Sequence, residues 1–294
     1  MTFDPGLAAH LATGVTRTCH AWAITRSDGA VFGFTDHDRD LAFDGITFRA
    51  DTGLSAVALQ QTTGLSVDNT EALGALSDTS LREADIEAGR FDGADLSAWI
   101  VCWQDVALRQ MVFRGTLGEI RRAGGAFRAE LRGLSEALNR PLGRVYQKPC
   151  TAVLGDASCR VTLDDPAYRA DRPAEVVDDG VTFRFSGFDS HDFGWFQHGR
   201  LTVLSGVAEG LSGVIKRDRF LDGLREVELW APLRAAIAPG DLLRFEAGCD
   251  RRFETCRLKF GNVLNFQGFP DIPGEDWQMT HPARSGALDG GSRR

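Results

Sequence analysis

Asp28-Gly29-Ala30-Val31-Phe32-Gly33-Phe34 joins a tight-turn dipeptide to a short β-rich run, and Asp179-Gly180-Val181-Thr182-Phe183-Arg184-Phe185 repeats the arrangement. Glycine at such a turn supplies the positive φ that a two-residue hairpin requires. Asp44-Gly45, Gly124-Gly125 and Asp222-Gly223 carry the same signal. No strand–helix–strand alternation separates them, which argues against a parallel α/β sheet. The expected fold is mainly β: two antiparallel β-barrel or sandwich domains, a cysteine-clamped C-terminal segment and few short helices.

Three helices are expected. Over residues 4–14, Asp4 suits the N-cap, Pro5 the first turn, Leu7 and Leu11 one face, and Gly14 the stop. Ser80-Leu81-Arg82-Glu83 has capping-box spacing, with Gly89 as its stop. A third runs from Ser135 to Asn139 and ends near Pro141. The domain plan is an N-terminal barrel over 1–142, a first cysteine segment over 143–165 and a second barrel over 166–247. A second cysteine segment over 248–280 closes the metal site, and a flexible tail covers 281–294. The two cysteine segments meet only if the second barrel brings its ends together, as domain termini commonly do.

A chain of 294 residues, 43% apolar, has enough material for one large or two medium cores. Its 33 basic and 41 acidic residues leave a net charge of −8. That balance gives no electrostatic reason to grip nucleic acid, since phosphate binding needs clustered Lys and Arg. An acidic surface instead lets DNA pass without sticking. No run approaches the roughly 20 apolar residues that span a bilayer, so no membrane insertion is expected. Met1-Thr2-Phe3-Asp4-Pro5 opens no basic and then apolar leader. The expected site of synthesis is a reducing cytoplasm, where grouped cysteines are metal ligands more often than disulfides.

Cys150 and Cys159 form one pair, Cys249 and Cys256 another, as C-x8-C and C-x6-C. Structural zinc sites usually space the ligands of a pair roughly two to four residues apart. An iron–sulfur cluster also takes four thiolates and tolerates irregular spacing. Lys148, Arg160, Arg251, Arg252 and Arg257 neighbour the four thiols, and such cations favour thiolates. Ordinary buried thiols are the plain alternative. Cys102, in the apolar run Ala98-Trp99-Ile100-Val101-Cys102-Trp103, and Cys19, at a strand start, are expected in the core.

The stretch Cys249-Asp250-Arg251-Arg252-Phe253-Glu254-Thr255-Cys256, followed by Lys259-Phe260-Gly261-Asn262-Val263-Leu264-Asn265-Phe266-Gln267-Gly268-Phe269-Pro270, is the most distinctive part of the chain. With Ile272-Pro273-Gly274-Glu275-Asp276 it resembles the C-terminal signature of tail-tip hub proteins of siphophage-type tails. It is similar above all to the hub of rhodobacterial gene transfer agents and related prophages, and more distantly to the lambda minor tail protein L. Gly33-Phe34-Thr35-Asp36-His37-Asp38-Arg39-Asp40-Leu41, Gly64-Leu65-Ser66-Val67-Asp68-Asn69 and Tyr146-Gln147-Lys148-Pro149-Cys150 fit the same family, and the resemblance runs to about Trp277.

The resemblance implies a homotrimeric baseplate hub with β-barrel tube domains, assembled into the tail tip of a phage-like virion. It implies contacts with the distal tail protein ring and with the distal cell-contacting tail protein, around a channel for DNA delivery. It also implies a [4Fe–4S] cluster on Cys150, Cys159, Cys249 and Cys256, with zinc as the alternative centre, and no catalytic residue. By the chain-entropy argument, a cross-link closing about 100 residues restricts the unfolded chain strongly.

Two other stretches invite chemistry. Asp36 and Asp38 on a strand face the side opposite to His37, so Asp36-His37-Asp38 reads as a polar loop. Ser190-His191-Asp192, with His198 nearby, is no triad by adjacency, and no G-x-S-x-G elbow accompanies it. Phe188, Phe193, Trp195 and Phe196 make that region an expected exposed aromatic loop for a tail partner. The alternatives to a structural hub are a tail-associated enzyme, wall-degrading or redox, using Asp36 and His37 or the cluster, and a zinc-stapled binding module. No phosphate-binding glycine loop is present.

Overall fold

A computed structural model describes residues 4–50, 54–56, 69–75, 82–123, 126–133, 143 and 145–272. The chain divides into two compact units, Met1–Pro141 and Leu142–Arg294. The expected helix over 135–139, the Gly124-Gly125 turn, the stretch 64–68 and the tail over 281–294 lie outside the described residues.

The first unit opens with α1 (Pro5–Ala12), where Asp4 accepts the Leu7 N–H at 2.7 Å and Gly14 follows with φ 73°. Strands β1 (Thr18–Thr25), β2 (Val31–Thr35), β3 (Leu41–Phe43), β4 (Ile46–Arg49), β5 (Leu54–Ala56) and β6 (Asn69–Ala75) come next. After α2 (Glu83–Glu87) the unit continues with β7 (Asp95–Cys102), β8 (Arg109–Ala123) and β9 (Ala126–Gly133). The nine strands form one sheet in the order β3-β4-β2-β1-β7-β8-β9-β6-β5. Every pairing is antiparallel except β2 with β4, where the chain returns alongside β2 after the β3–β4 hairpin.

Strand β1 is buried on both faces. Trp22 and Ile24 join a core with Phe34, Leu96, Phe113 and Leu131. Cys19, Ala21 and Ala23 face a second core with Phe43, Phe48, Trp99 and Val101. Cys19 and Cys102 are both buried, as expected. Helix α2 starts at Glu83 with Arg82 as its N-cap, and Ser80 and Leu81 of the expected capping box lie outside the described residues. Gly89 does end that turn, with φ 73°.

The second unit carries β10 (Arg169–Pro173), β11 (Val176–Asp178), β12 (Thr182–Phe185), β13 (Arg200–Val203), β14 (Ser212–Leu221), β15 (Leu224–Leu229) and β16 (Leu242–Glu246). Helix α3 (Phe253–Leu258) and a 3-10 turn (Val263–Asn265) follow. The strand order is β10-β16-β13-β14-β15-β12-β11, antiparallel throughout. Asp179-Gly180 and Asp222-Gly223 have positive φ at both residues, as the hairpins β11–β12 and β14–β15 require. Four strand spacings separate β12 from β16, or about 19 Å in a flat sheet. Yet the rings of Phe185 and Phe245 stand 5.3 Å apart. The sheet therefore curls round its core, where Phe183, Leu201, Ile215, Val227 and Leu243 are also fully enclosed.

Within that core lies one complete ion pair. Arg225 donates to Asp218 through Nε at 2.7 Å and Nη2 at 2.6 Å, and neither side chain is exposed. The remaining guanidinium donors reach the carbonyls of Phe188, His191 and Asp192 at 3.4, 2.8 and 3.0 Å. Asp218 also accepts the Phe196 N–H at 2.9 Å. Removing one partner of such a pair strands a buried charge. Arg225→Ala is expected to cost roughly 3–5 kcal/mol in denaturant unfolding. Arg169→Ala, which opens the solvent-facing pair with Asp164, should cost under about 1 kcal/mol.

Candidate metal centre

The first cysteine segment has no regular secondary structure and is organised by one carboxylate. Asp156 accepts the backbone N–H groups of Val153, Ser158 and Cys159 at 2.9, 2.9 and 2.6 Å. These bonds, that of Cys159 foremost, hold its carboxyl below the usual carboxylate range. The loop so closed puts Cys150 and Cys159 in one small apolar cluster with Ala152, Leu154, Val161 and Phe266. Arg160, next to Cys159, adopts φ 61°, a left-handed conformation that costs energy outside glycine.

The second segment leaves β16 through Gly248, where a Cβ would stand 1.6 Å from the Gln197 carbonyl oxygen. Cys249 follows, half-buried, and Arg251 adopts φ 64°. Helix α3 then carries Cys256, which is buried. The two segments are stitched together directly. Cys150 N–H donates to the Arg251 carbonyl at 2.8 Å, and Phe269 N–H to that of Gln147 at 2.9 Å. Asn262 Nδ2 donates to the Cys159 carbonyl at 2.6 Å, and Thr151 Oγ to that of Gln267 at 3.2 Å.

Three of the four sulfurs receive an N–H group. Gln267 N–H points at Cys150 Sγ and Arg251 N–H at Cys249 Sγ, both at 3.4 Å. Asn262 Nδ2 lies 3.6 Å from Cys159 Sγ, and Cys256 donates its own S–H to the Asn262 carbonyl at 3.3 Å. No cysteine is paired as a disulfide. Burial pushes Cys249 up and Cys256 up to about 11, and the nearby thiols Cys150 and Cys159 push both further. Cys249 and Cys256 thus resist ionisation unless a cationic centre offsets the charge. Among the described residues no group of three or more His, Cys, Asp or Glu is arranged to hold a metal ion. The thiols sense one another's charge without converging on the reach of a single ion.

The cations flagged from sequence (Lys148, Arg160, Arg251, Arg252 and Arg257) are exposed. A different one is tucked against the site. Lys259 Nζ donates to the carbonyls of Trp195 and Gly248 at 2.5 and 2.8 Å and lies 4.4 Å from the Trp195 ring centroid. Burial pushes its pKa down to about 8, while the Cys249 charge pulls it back up. Lys259 and Asn262 were visible only as parts of the C-terminal signature; nothing in their local spacing announces a role.

Residues 4–162 match a family described as baseplate hub protein, N-terminal attachment domain. Residues 194–276 match a second family, described as phage conserved hypothetical protein BR0599. One chain of a solved structure, the virion of a native gene transfer agent (GTA) particle, shares 52% identity with this chain. That match covers 98% of this chain and 99% of the other, with a TM-score of 0.90. The chain belongs to the baseplate hub protein family. A comparison with curated proteins finds none that matches. In this hub chain the first family match contains Cys150 and Cys159, and the second contains Cys249 and Cys256.

The other sequence candidates are placed as follows. Asp36, His37 and Asp38 form a bend after β2. Asp36 bonds His20 Nδ1 at 2.8 Å, and Asp38 lies 3.1 Å from His37 Nδ1. Ser190 Oγ lies 2.9 Å from His191 Nδ1, while His191 Nε2 reaches the Pro166 carbonyl at 3.3 Å. A backbone carbonyl thus stands where a triad would need a carboxylate. His198 takes φ 66° and its N–H donates to the Ile215 carbonyl at 2.9 Å. The exposed aromatic loop is corrected: Phe188 and Phe196 are core residues stacked on Arg225, and Trp195 packs under Lys259. Of the four aromatics only Phe193 is exposed, at 70%.

Two outcomes follow from this geometry. A Cβ on Gly268 would stand 2.5 Å from the Lys148 carbonyl oxygen, so Gly268→Ala should part the crossing segments and lower stability by about 1–3 kcal/mol in denaturant unfolding. In metal-free protein the raised Cys256 pKa adds stability that is whole below its unfolded value of 9.0 and is lost as pH climbs toward about 11. The stability of wild type minus that of Cys256→Ser should therefore fall across that range in chemical denaturation at stepped pH.

Proposed function

We propose that this chain is the structural hub of a phage-like tail tip, acting as a homotrimer that joins the distal tail ring to the cell-contacting tail protein around the DNA path. The observation that carries this reading is the near full-length similarity, at 52% identity, to a chain of a gene transfer agent virion. The net charge of −8 suits a wall past which DNA slides without sequence-specific contact. The hub family supports a structural role, and the two stretches weighed for chemistry are taken up by local contacts: His191 with the Pro166 carbonyl, and the bend 36–38 with His20 and His37.

In this reading Cys150, Cys159, Cys249 and Cys256 hold a [4Fe–4S] cluster. The fit rests on four unpaired thiols drawn from two distant segments, their mutual electrostatic influence, and the N–H groups aimed at three sulfurs. Hydrogen bonds to sulfur are a recurrent part of such sites. A lone zinc ion holds its thiolates at about 2.3 Å from one point, whereas a cluster accepts them farther apart. When bound, the cluster supplies a cross-link between the segments flanking the second barrel. The left-handed turns at Arg160 and Arg251 and the Asp156-closed loop hold the ligands ready for it.

Anaerobic purification with iron, acid-labile sulfide and zinc analysis tests the cofactor, and mass photometry tests the assembly. About four irons and four sulfides per chain, lost in Cys249→Ser, and a three-chain species in tail complexes are expected. Zinc without sulfide would replace the cluster with a zinc clamp. A monomer in every tail complex would overturn the hub arrangement.

A further inference from the structure

One residue touches both cysteine segments at the sulfur level. The Asn262 N–H donates to the Cys256 carbonyl at 3.0 Å, and the Asn262 carbonyl accepts the Cys256 S–H at 3.3 Å. Its side-chain Nδ2 reaches the Cys159 carbonyl at 2.6 Å and Cys159 Sγ at 3.6 Å. The amide is itself held in orientation, because Asn265 Nδ2 donates to Asn262 Oδ1 at 2.7 Å. The Cys159 carbonyl, which can only accept, assigns the amide: the N–H groups face Cys159 and Oδ1 faces Asn265. The turn is closed further by Asn265 N–H to the Asn262 carbonyl at 3.1 Å.

We infer that Asn262 is a positioning residue of the four-thiol centre, setting the separation of Cys159 from Cys256 and directing a hydrogen-bond donor at the Cys159 sulfur. The inference rests on the cluster reading given above. Its physical content is twofold. The side chain spans residues that are 103 apart in sequence, so it preorganises the ligands before anything binds. The donor also stabilises negative charge on that sulfur, which favours metal binding and raises the reduction potential of a bound cluster. An acceptor at the same place does the reverse, because a carboxylate repels a thiolate.

Asn262→Asp keeps the shape and exchanges the donor for an acceptor. Asn265→Ala leaves the amide in place but frees its orientation. The full-length protein, loaded anaerobically, is assayed for iron and sulfide content, for iron release to a chelator, and for reduction potential by redox titration of its visible absorption. Expected for Asn262→Asp are iron release faster by roughly 10–100-fold and a potential more negative than wild type. Asn265→Ala should shift both in the same direction by less. Far-UV circular dichroism of the metal-free variants checks that the barrel still folds. If wild type takes up no iron and sulfide, the cluster reading fails. If wild type loads fully while Asn262→Asp matches its release rate and potential, the cluster reading stands and the role of Asn262 is overturned. Faster release with an unchanged potential would leave Asn262 a spacer only and overturn the hydrogen-bond half of the inference.

Discussion

The buried pair of Arg225 and Asp218 is the contact on which the second unit hangs. A guanidinium in a core is tolerable only when every donor is satisfied, and here all five are engaged. Its three carbonyl partners come from residues 188–192, so the ion pair fixes a loop that has no strand of its own. Stacking on Phe188 and Phe196, at 4.8 and 4.7 Å, encloses the charge. A loop that reads as surface in sequence is thereby turned into core.

From that loop the constraint passes to the thiols. The Trp195 carbonyl accepts the Gly248 N–H at 3.0 Å and the Lys259 ammonium at 2.5 Å. Gly248 can lie there only because it has no side chain. Cys249 is the next residue, so its position is inherited from the barrel through one shared carbonyl. The first cysteine segment is held differently, by Asp156 folding its own loop. The two solutions meet at Asn262 and at the Cys150–Arg251 backbone bond. The two cysteine segments are therefore held by independent local devices that meet at these contacts.

Much of this was legible beforehand. The Asp-Gly dipeptides announced the hairpins because positive φ is a local demand that few residues meet. Asp4-Pro5 announced α1 for the same kind of reason: a cap and a fixed φ act within one turn. Helix α2 begins at Glu83, behind Arg82, inside the Ser80–Gly89 span that the capping-box spacing marks. The four cysteines were picked out as a set by rarity and by resemblance. Aromatic density over 188–196 is equally compatible with a core and with an interface, and the buried Arg225 decides for the core.

Sequence alone determined the β class, the hairpin positions and the capped first helix, all of which depend on residue type and short spacing. Tertiary structure decided which face each residue takes. It curled one sheet until Phe185 met Phe245, buried Arg225, and brought Asn262 onto Cys159 and Lys259 beside Cys249. These are contacts between residues tens to a hundred positions apart. Their partners are set by the curling of the sheet, and no local pattern records that curvature.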